Sequence, residues 1–168
     1  MLRVGIVWAL IMSSIVISLS SCDKVKGDIF SDEELLDKLY NNSFDTLVVG
    51  VSRYALNPYL YRNFFPGVLN KKRPLIASIE LVNIDSLPVL ESIAIRNLYI
   101  INKNLIWQSL PSLSERTYLP DNKLRWVGVD GPEWDPGIYV DVILEIEDNT
   151  TSTTFFLIRK EQLIERLD

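Results

Sequence analysis

The sequence predicts a mostly β protein: an antiparallel two-sheet sandwich of immunoglobulin-like architecture, preceded by one short helix. Three observations carry that expectation. Over most of the chain after residue 45, apolar residues recur at every second position, the mark of a strand with one buried and one wet face. The runs are short, and no helical pattern alternates with them, which argues against a parallel α/β sheet. A length of 168 residues suits one domain with a sizeable core. The Cys…Trp…Cys core of antibody domains is missing, so the likeness is one of architecture. A small β-barrel is the alternative.

The helix is expected at 31–41, opening the domain at 31–168. Ser31 and Glu34 stand at capping-box spacing, so that hydroxyl and carboxylate satisfy each other's orphan backbone donors. Leu35, Leu36 and Leu39 share one face, and Asn41-Asn42-Ser43 closes the segment. Strand runs follow at 45–52, 75–82, 93–101, 105–107 and 123–127. The clearest is 138–147, where Ile138, Val140, Val142, Leu144 and Ile146 face one way and Asp141, Glu145 and Glu147 the other. Asp148 to Thr151 makes a turn, and Thr153 to Arg159 returns as a partner strand rich in β-branched and aromatic residues.

Two segments between these runs read as loops. Asn57 to Gly67 is proline-bounded and dense in aromatics, and 130–137 adds Trp134. Long loops carrying Tyr, Trp and Arg are typical of binding surfaces, which makes Tyr59, Tyr61, Phe64 and Trp134 the candidate binding surface. The competing account is packing, with the same rings plugging the open ends of the sandwich. On that division Trp134, held between Pro132 and Pro136, is the expected exposed contact, and Phe65 is the expected plug.

Formal net charge is −5, and the only charge before Cys22 is Arg3. This acidic balance excludes the basic footprint that nucleic acid demands, and it offers no polybasic attachment to anionic lipid. Membrane attachment must come from the N-terminus. Met1-Leu2-Arg3 is short and positively charged, Val4 to Leu19 is almost wholly apolar, and Leu19-Ser20-Ser21-Cys22 precedes the polar run Asp23 to Asp28. A positive start, an apolar stretch and small residues at the cut are the anatomy of an export signal. The quartet resembles the lipobox of bacterial lipoproteins, with leucine three places before the cysteine and small residues between. The resemblance covers residues 1–22. It implies a signal peptide at 1–21 removed by the lipoprotein signal peptidase, lipidation of Cys22 with palmitate-type acyl chains, and a lipidated tether at 22–30. Two or three acyl chains, each buried methylene worth about 0.8 kcal/mol, hold a protein to a bacterial membrane far more firmly than one chain does. The mature part would then sit in the cell envelope, outside the cytoplasm, with no structural disulfide because the only cysteine is used.

Chemistry is sparsely signposted. The chain has no histidine, which removes Ser-His-Asp and Cys-His catalysis and every zinc site built on imidazole. It has no glycine-rich nucleotide loop and no GxSxG elbow. Asp141, Glu145 and Glu147 share a strand face, but alternating outward acids are the ordinary solvated face of a strand rather than the paired carboxylates of a hydrolase. Asp130, Glu133 and Asp135 lie in one tight loop, without the regular spacing of a calcium site. The reading is therefore a non-enzymatic chain with no cofactor and no metal, an envelope lipoprotein acting as a binding or interaction module. Its partners would be the membrane, through Cys22, and another envelope protein or a glycan. A structural accessory lipoprotein without its own ligand, and less so a carboxylate-dependent hydrolase, are the alternatives.

Overall fold

The computed structural model describes residues 27–66, 72–110, 117–118 and 122–168, with only the backbone of 117–118. Cys22, the signal segment and most of the tether lie outside the described residues. In chain order the elements are β1 (Asp28–Phe30), α1 (Glu33–Asn41), β2 (Ser43–Phe44), β3 (Leu47–Val49), β4 (Ser52–Asn63), β5 (Leu75–Asn83), β6 (Ile93–Asn102), β7 (Leu105–Ser109), β8 (Thr117–Tyr118), β9 (Lys123–Gly128), β10 (Tyr139–Asp148) and β11 (Thr153–Leu167).

The described residues are mostly β with one short helix, as the periodicity predicts, but the expected antiparallel two-sheet arrangement is replaced by one continuous, mixed sheet. Its order is β1-β7-β6-β10-β11-β4-β5-β9-β8, with β2 against β11 and β3 against β4. Sheets of this size curl, because strand twist accumulates across them. Here the curl makes an open half-barrel, whose end strands β1 and β8 are not paired with each other, so the closed-barrel alternative is not formed either. Inward residues of β4, β5 and β9 (Leu60, Ile79, Trp126) meet those of β6, β10 and β11 (Leu98, Leu144, Leu157) in one core.

The strand that makes the sheet continuous is β11. Its first part pairs antiparallel with β10, and Ile164–Leu167 then pair parallel with Leu60–Asn63 of β4. The switch occurs at a bulge opposite Asp141, where the register jumps between Val140 and Val142 and Glu161 takes a left-handed φ of 55°. The extra residue shifts the alternation by one, so that Ile164 rejoins the core that Leu157 entered. A second bulge, at Arg96, does the same in β6: Ile93 and Ile95 lie inward before it, Leu98 and Ile100 after it. The run expected to end at Arg159 continues to Leu167 because strict alternation hides such a step.

Other expectations are corrected in detail. Leu47 to Ser52 is not one strand but the start of a hairpin that turns at Gly50, whose φ of 61° suits glycine. Residues 57–63, expected as loop, belong to β4. Pro58 sits opposite Ile79 of β5, and on its other edge it falls between the stretches paired by β3 and β11, where a missing N–H costs least. The helix cap is Asp32, whose carboxylate accepts from Leu35 N at 2.9 Å, rather than Ser31. Leu35, Leu36 and Leu39 bury against Tyr99, Ile106, Ile143 and Phe156, on the face of β6, β7, β10 and β11 away from the main core. That face of β10 is therefore half covered, and Ile143 lies on it fully buried.

Candidate functional site

One end of the half-barrel brings together Arg62, Phe64, Lys103, Trp134 and Tyr139. There β4 and β11 finish side by side, β5 and β10 begin, and β6 turns into β7. The connection from β9 to β10, residues 129–138, crosses the same end. It is laid down almost like a strand: Gly131 N donates to Leu75 O at 3.1 Å, and Leu75 N to Pro132 O at 3.3 Å.

The residue that holds this end together is Arg62, near the end of β4 and buried. Its Nε donates to Arg73 O at 2.5 Å, and its Nη1 to Glu133 O at 2.9 Å and Trp134 O at 3.0 Å. The Glu133 carboxylate stands 3.5 Å from Nη2. A planar guanidinium spreads its donors over separate nitrogens and so reaches carbonyls on different sides at once, whereas a lysine ammonium carries all its donors on one atom. Because Arg62 ties down their carbonyls, Trp134 is half-buried against the main core.

Outside this pinned loop runs an open groove of about 420 Å³, lined by Lys103, Glu133, Trp134, Asp135, Ile138 and Tyr139 among others. It continues into a second hollow of about 300 Å³ that shares Lys103 and Tyr139 and adds Tyr40, Asp141 and Glu161. Lys103 sits in the β6–β7 turn with a left-handed φ of 58° and forms no ion pair among the described residues. Tyr139 is well exposed at 64%. Asp141 is committed: it accepts from Tyr40 Oη at 2.8 Å and from Glu161 N at 2.8 Å, tying helix, bulge and sheet together. Burial, and then the Asp141 carboxylate beside it, push the Tyr40 phenol well above its usual range. The other two outward acids of β10 are also engaged. Glu145 accepts from Asn97 Nδ2 and Tyr99 Oη, and Glu147 from Arg96 Nε. Among the described residues no group of three or more acids or thiols converges as a metal site.

The four aromatic residues singled out by sequence separate into two places. Tyr59 and Tyr61 point outward from β4, rings 5.2 Å apart and tilted by 32°, and burial, then the nearby Glu165 of β11, push the Tyr59 phenol above its usual range. Phe64 and Trp134 lie at the barrel end, linked through Arg62, which contacts the Phe64 ring and the Trp134 carbonyl. The expected division between contact and plug is reversed. Phe65 is 48% exposed, while Trp134 is half-buried against the core with its carbonyl held by Arg62. No sequence pattern marks Arg62, Lys103 or Tyr139: Arg62 belongs to an aromatic segment that reads as loop, and Tyr139 is one outward residue of an alternating strand.

A second polar cluster lies on the outer face of β4, β5 and β9. Asn57, Glu80 and Arg125 are in register across the three strands, and Glu80 accepts from Arg125 Nη2 at 2.6 Å, Asn57 Nδ2 at 3.1 Å and Lys123 Nζ at 3.1 Å. The Arg125 hydrogen bond leads, outweighing desolvation with help from Asn57 and Lys123, in holding the Glu80 carboxyl at about 2 instead of 4.5. A depressed carboxyl stabilises the fold fully above its unfolded value and loses that contribution as pH falls toward the folded one. The expected result is that stability declines between about pH 4.5 and 2, and that Glu80→Gln flattens this limb. At neutral pH the substitution should cost about 1–2 kcal/mol, discounted because both cations are about one-third exposed. Urea titrations of both proteins across that range measure it; parallel pH profiles would refute it.

Comparison with protein-family models, with curated proteins and with solved structures finds no match to this chain.

Proposed function

We propose that the chain is an envelope lipoprotein, anchored through lipid on Cys22, whose β-sheet domain is a non-catalytic binding module. Its partner, another envelope protein or a glycan, would lie in the groove between Trp134 and Tyr139. The observation that carries this reading is the convergence of Trp134, Tyr139, Lys103 and Asp135 on one open groove, along a connection clamped by Arg62. Aromatic faces beside amide and charged groups on a rigid frame supply contact area at little ordering cost. The runner-up, a structural accessory, is favoured by one fact: Trp134 packs against the core, so part of this surface already has a structural use.

The test uses the full-length chain in a bacterial envelope. Cys22→Ser is expected to abolish labelling by a fatty-acid analogue and to leave a larger precursor; normal processing would remove the anchor from the proposal. Tyr139→Ser, at an exposed position, should change stability by no more than about 0.5 kcal/mol while losing a mild cross-link to the partner. A cross-linking pattern identical to wild type in Tyr139→Ser and Lys103→Ala would leave the structural accessory as the better account.

A further inference from the structure

Phe64 follows β4 directly, and three guanidinium groups close on its ring. The Arg166 Cζ lies 4.2 Å from the ring centroid, that of Arg73 4.7 Å and that of Arg62 5.3 Å. They arrive from separate places: Arg62 from β4, Arg73 from just before β5, Arg166 from the end of β11. Like charges gathered around one ring repel. The negative face of the ring offsets part of that repulsion.

The anions nearby do not balance the cluster. The Glu133 carboxylate is 3.5 Å from Arg62 and more than half exposed; Asp168 pairs with Arg166 at 2.8 Å but is 67% exposed. Arg73 forms no ion pair among the described residues. Arg62 cannot turn away to relieve the repulsion, because three carbonyls hold it. In a chain of formal charge −5, this is a local concentration of positive charge built on a fixed member.

We propose that Arg73 and Arg166, stacked on Phe64 and backed by the fixed charge of Arg62, form a binding site for a phosphate-type oxyanion. Both Cζ atoms are close to one ring, so they lie no more than about 9 Å apart, a span that one tetrahedral anion can bridge with charge-assisted hydrogen bonds of about 2.7–2.9 Å. A guanidinium resting on a ring presents its N–H edge outward, in the plane that matches phosphate oxygens. Asp168, on the surface and two residues from Arg166, is a weakly held counterion that a doubly charged ligand displaces. The phosphate can be free or belong to a phospholipid headgroup; the chemistry at the arginines is the same. The site does not depend on the groove beside Tyr139 or on lipidation.

The experiment is calorimetric titration of the purified full-length chain, in a neutral detergent and at constant ionic strength, with inorganic phosphate and with glycerol 3-phosphate, a water-soluble headgroup fragment. Wild type should bind phosphate with chloride as the competing background anion. Arg73→Gln should weaken that binding at least tenfold, and Arg73→Lys should fall between. Arg166→Gln, at a half-exposed position, gives the same readout should Arg73→Gln lose its cooperative melt. Arg53→Gln, whose arginine pairs with Asp85 at the other end of β4, should bind as wild type does. Tighter binding of glycerol 3-phosphate than of phosphate assigns the site to a headgroup, and equal or weaker binding to the free anion. Absence of binding by wild type, or equal binding by wild type and both glutamine variants, overturns the proposal.

Discussion

Trp107→Ala is expected to destabilise the protein by about 3–5 kcal/mol, enough to threaten folding of a domain with about 5–15 kcal/mol in hand. Trp107 is fully buried in β7 and belongs to the main core. It has been given room by glycine. A Cβ added at Gly131 would stand 2.8 Å from two atoms of the indole ring and 2.9 Å from Leu75 O, and one at Gly128 would stand 3.2 Å from the same ring. The β9–β10 connection therefore lies directly against the tryptophan ring, and deleting the ring leaves a cavity that this clamped connection cannot fill. The indole Nε1 has no hydrogen-bond partner among the described residues, so Trp107→Phe, which keeps most of the apolar surface and removes that donor, should recover much of the loss. Gly131→Ala alone should also destabilise. Combined with Trp107→Ala it should cost less than the sum, with the clash against Leu75 O as the remainder. Urea denaturation of the four proteins measures this; strict additivity would show that Gly131 is not there for the ring.

Arg62→Met is expected to cost about 2–4 kcal/mol and to loosen one segment more than the rest. The substitution keeps much of the side-chain volume but strips the donors from the carbonyls of Arg73, Glu133 and Trp134, each lost hydrogen bond from a charged donor costing about 1 kcal/mol or more. Arg62→Lys should rescue little, since the acceptors lie around separate guanidinium nitrogens and an ammonium carries all its donors on one atom. Hydrogen exchange should rise at Gly131 and Leu75, whose amides bond across the same connection. Melting and exchange indistinguishable from wild type in Arg62→Met would show that the loop is held by Trp134 packing instead.

Strand content was legible wherever a strand buries one face and follows the period of two without interruption. The run 138–147 is the clearest case: Val140, Val142, Leu144 and Ile146 are all buried inward as predicted. Legibility failed at the bulges. One added residue at Arg96 and another at Glu161 shift the alternation by one, and a pattern read at fixed period sees the end of a strand there. It failed also at residues 57–63, where Pro58 and the aromatics suggested a loop; a proline is acceptable in β4 because its free edge falls between two partners.

The candidate site was half visible. Phe64 and Trp134 could be singled out by composition, being rings in segments with arginine, proline and glycine. Their meeting could not, because 70 residues of sequence separate them and Arg62 joins them through backbone carbonyls, acceptors that every residue owns and no sequence pattern marks.

What the amino-acid order determined alone is what depends on local period and composition: a β-rich chain, one short amphipathic helix, an acidic balance, no imidazole chemistry, and a lipobox-like start. The tertiary structure decided the rest. Whether the strands form two sheets or one rests on where β11 leaves β10 for β4, and that choice is made by a bulge held by the Asp141 carboxylate. Whether an arginine is a solvated charge or the clamp of a barrel end depends on which carbonyls long-range packing brings to it. Both are contacts between distant residues, and local sequence carries no record of them.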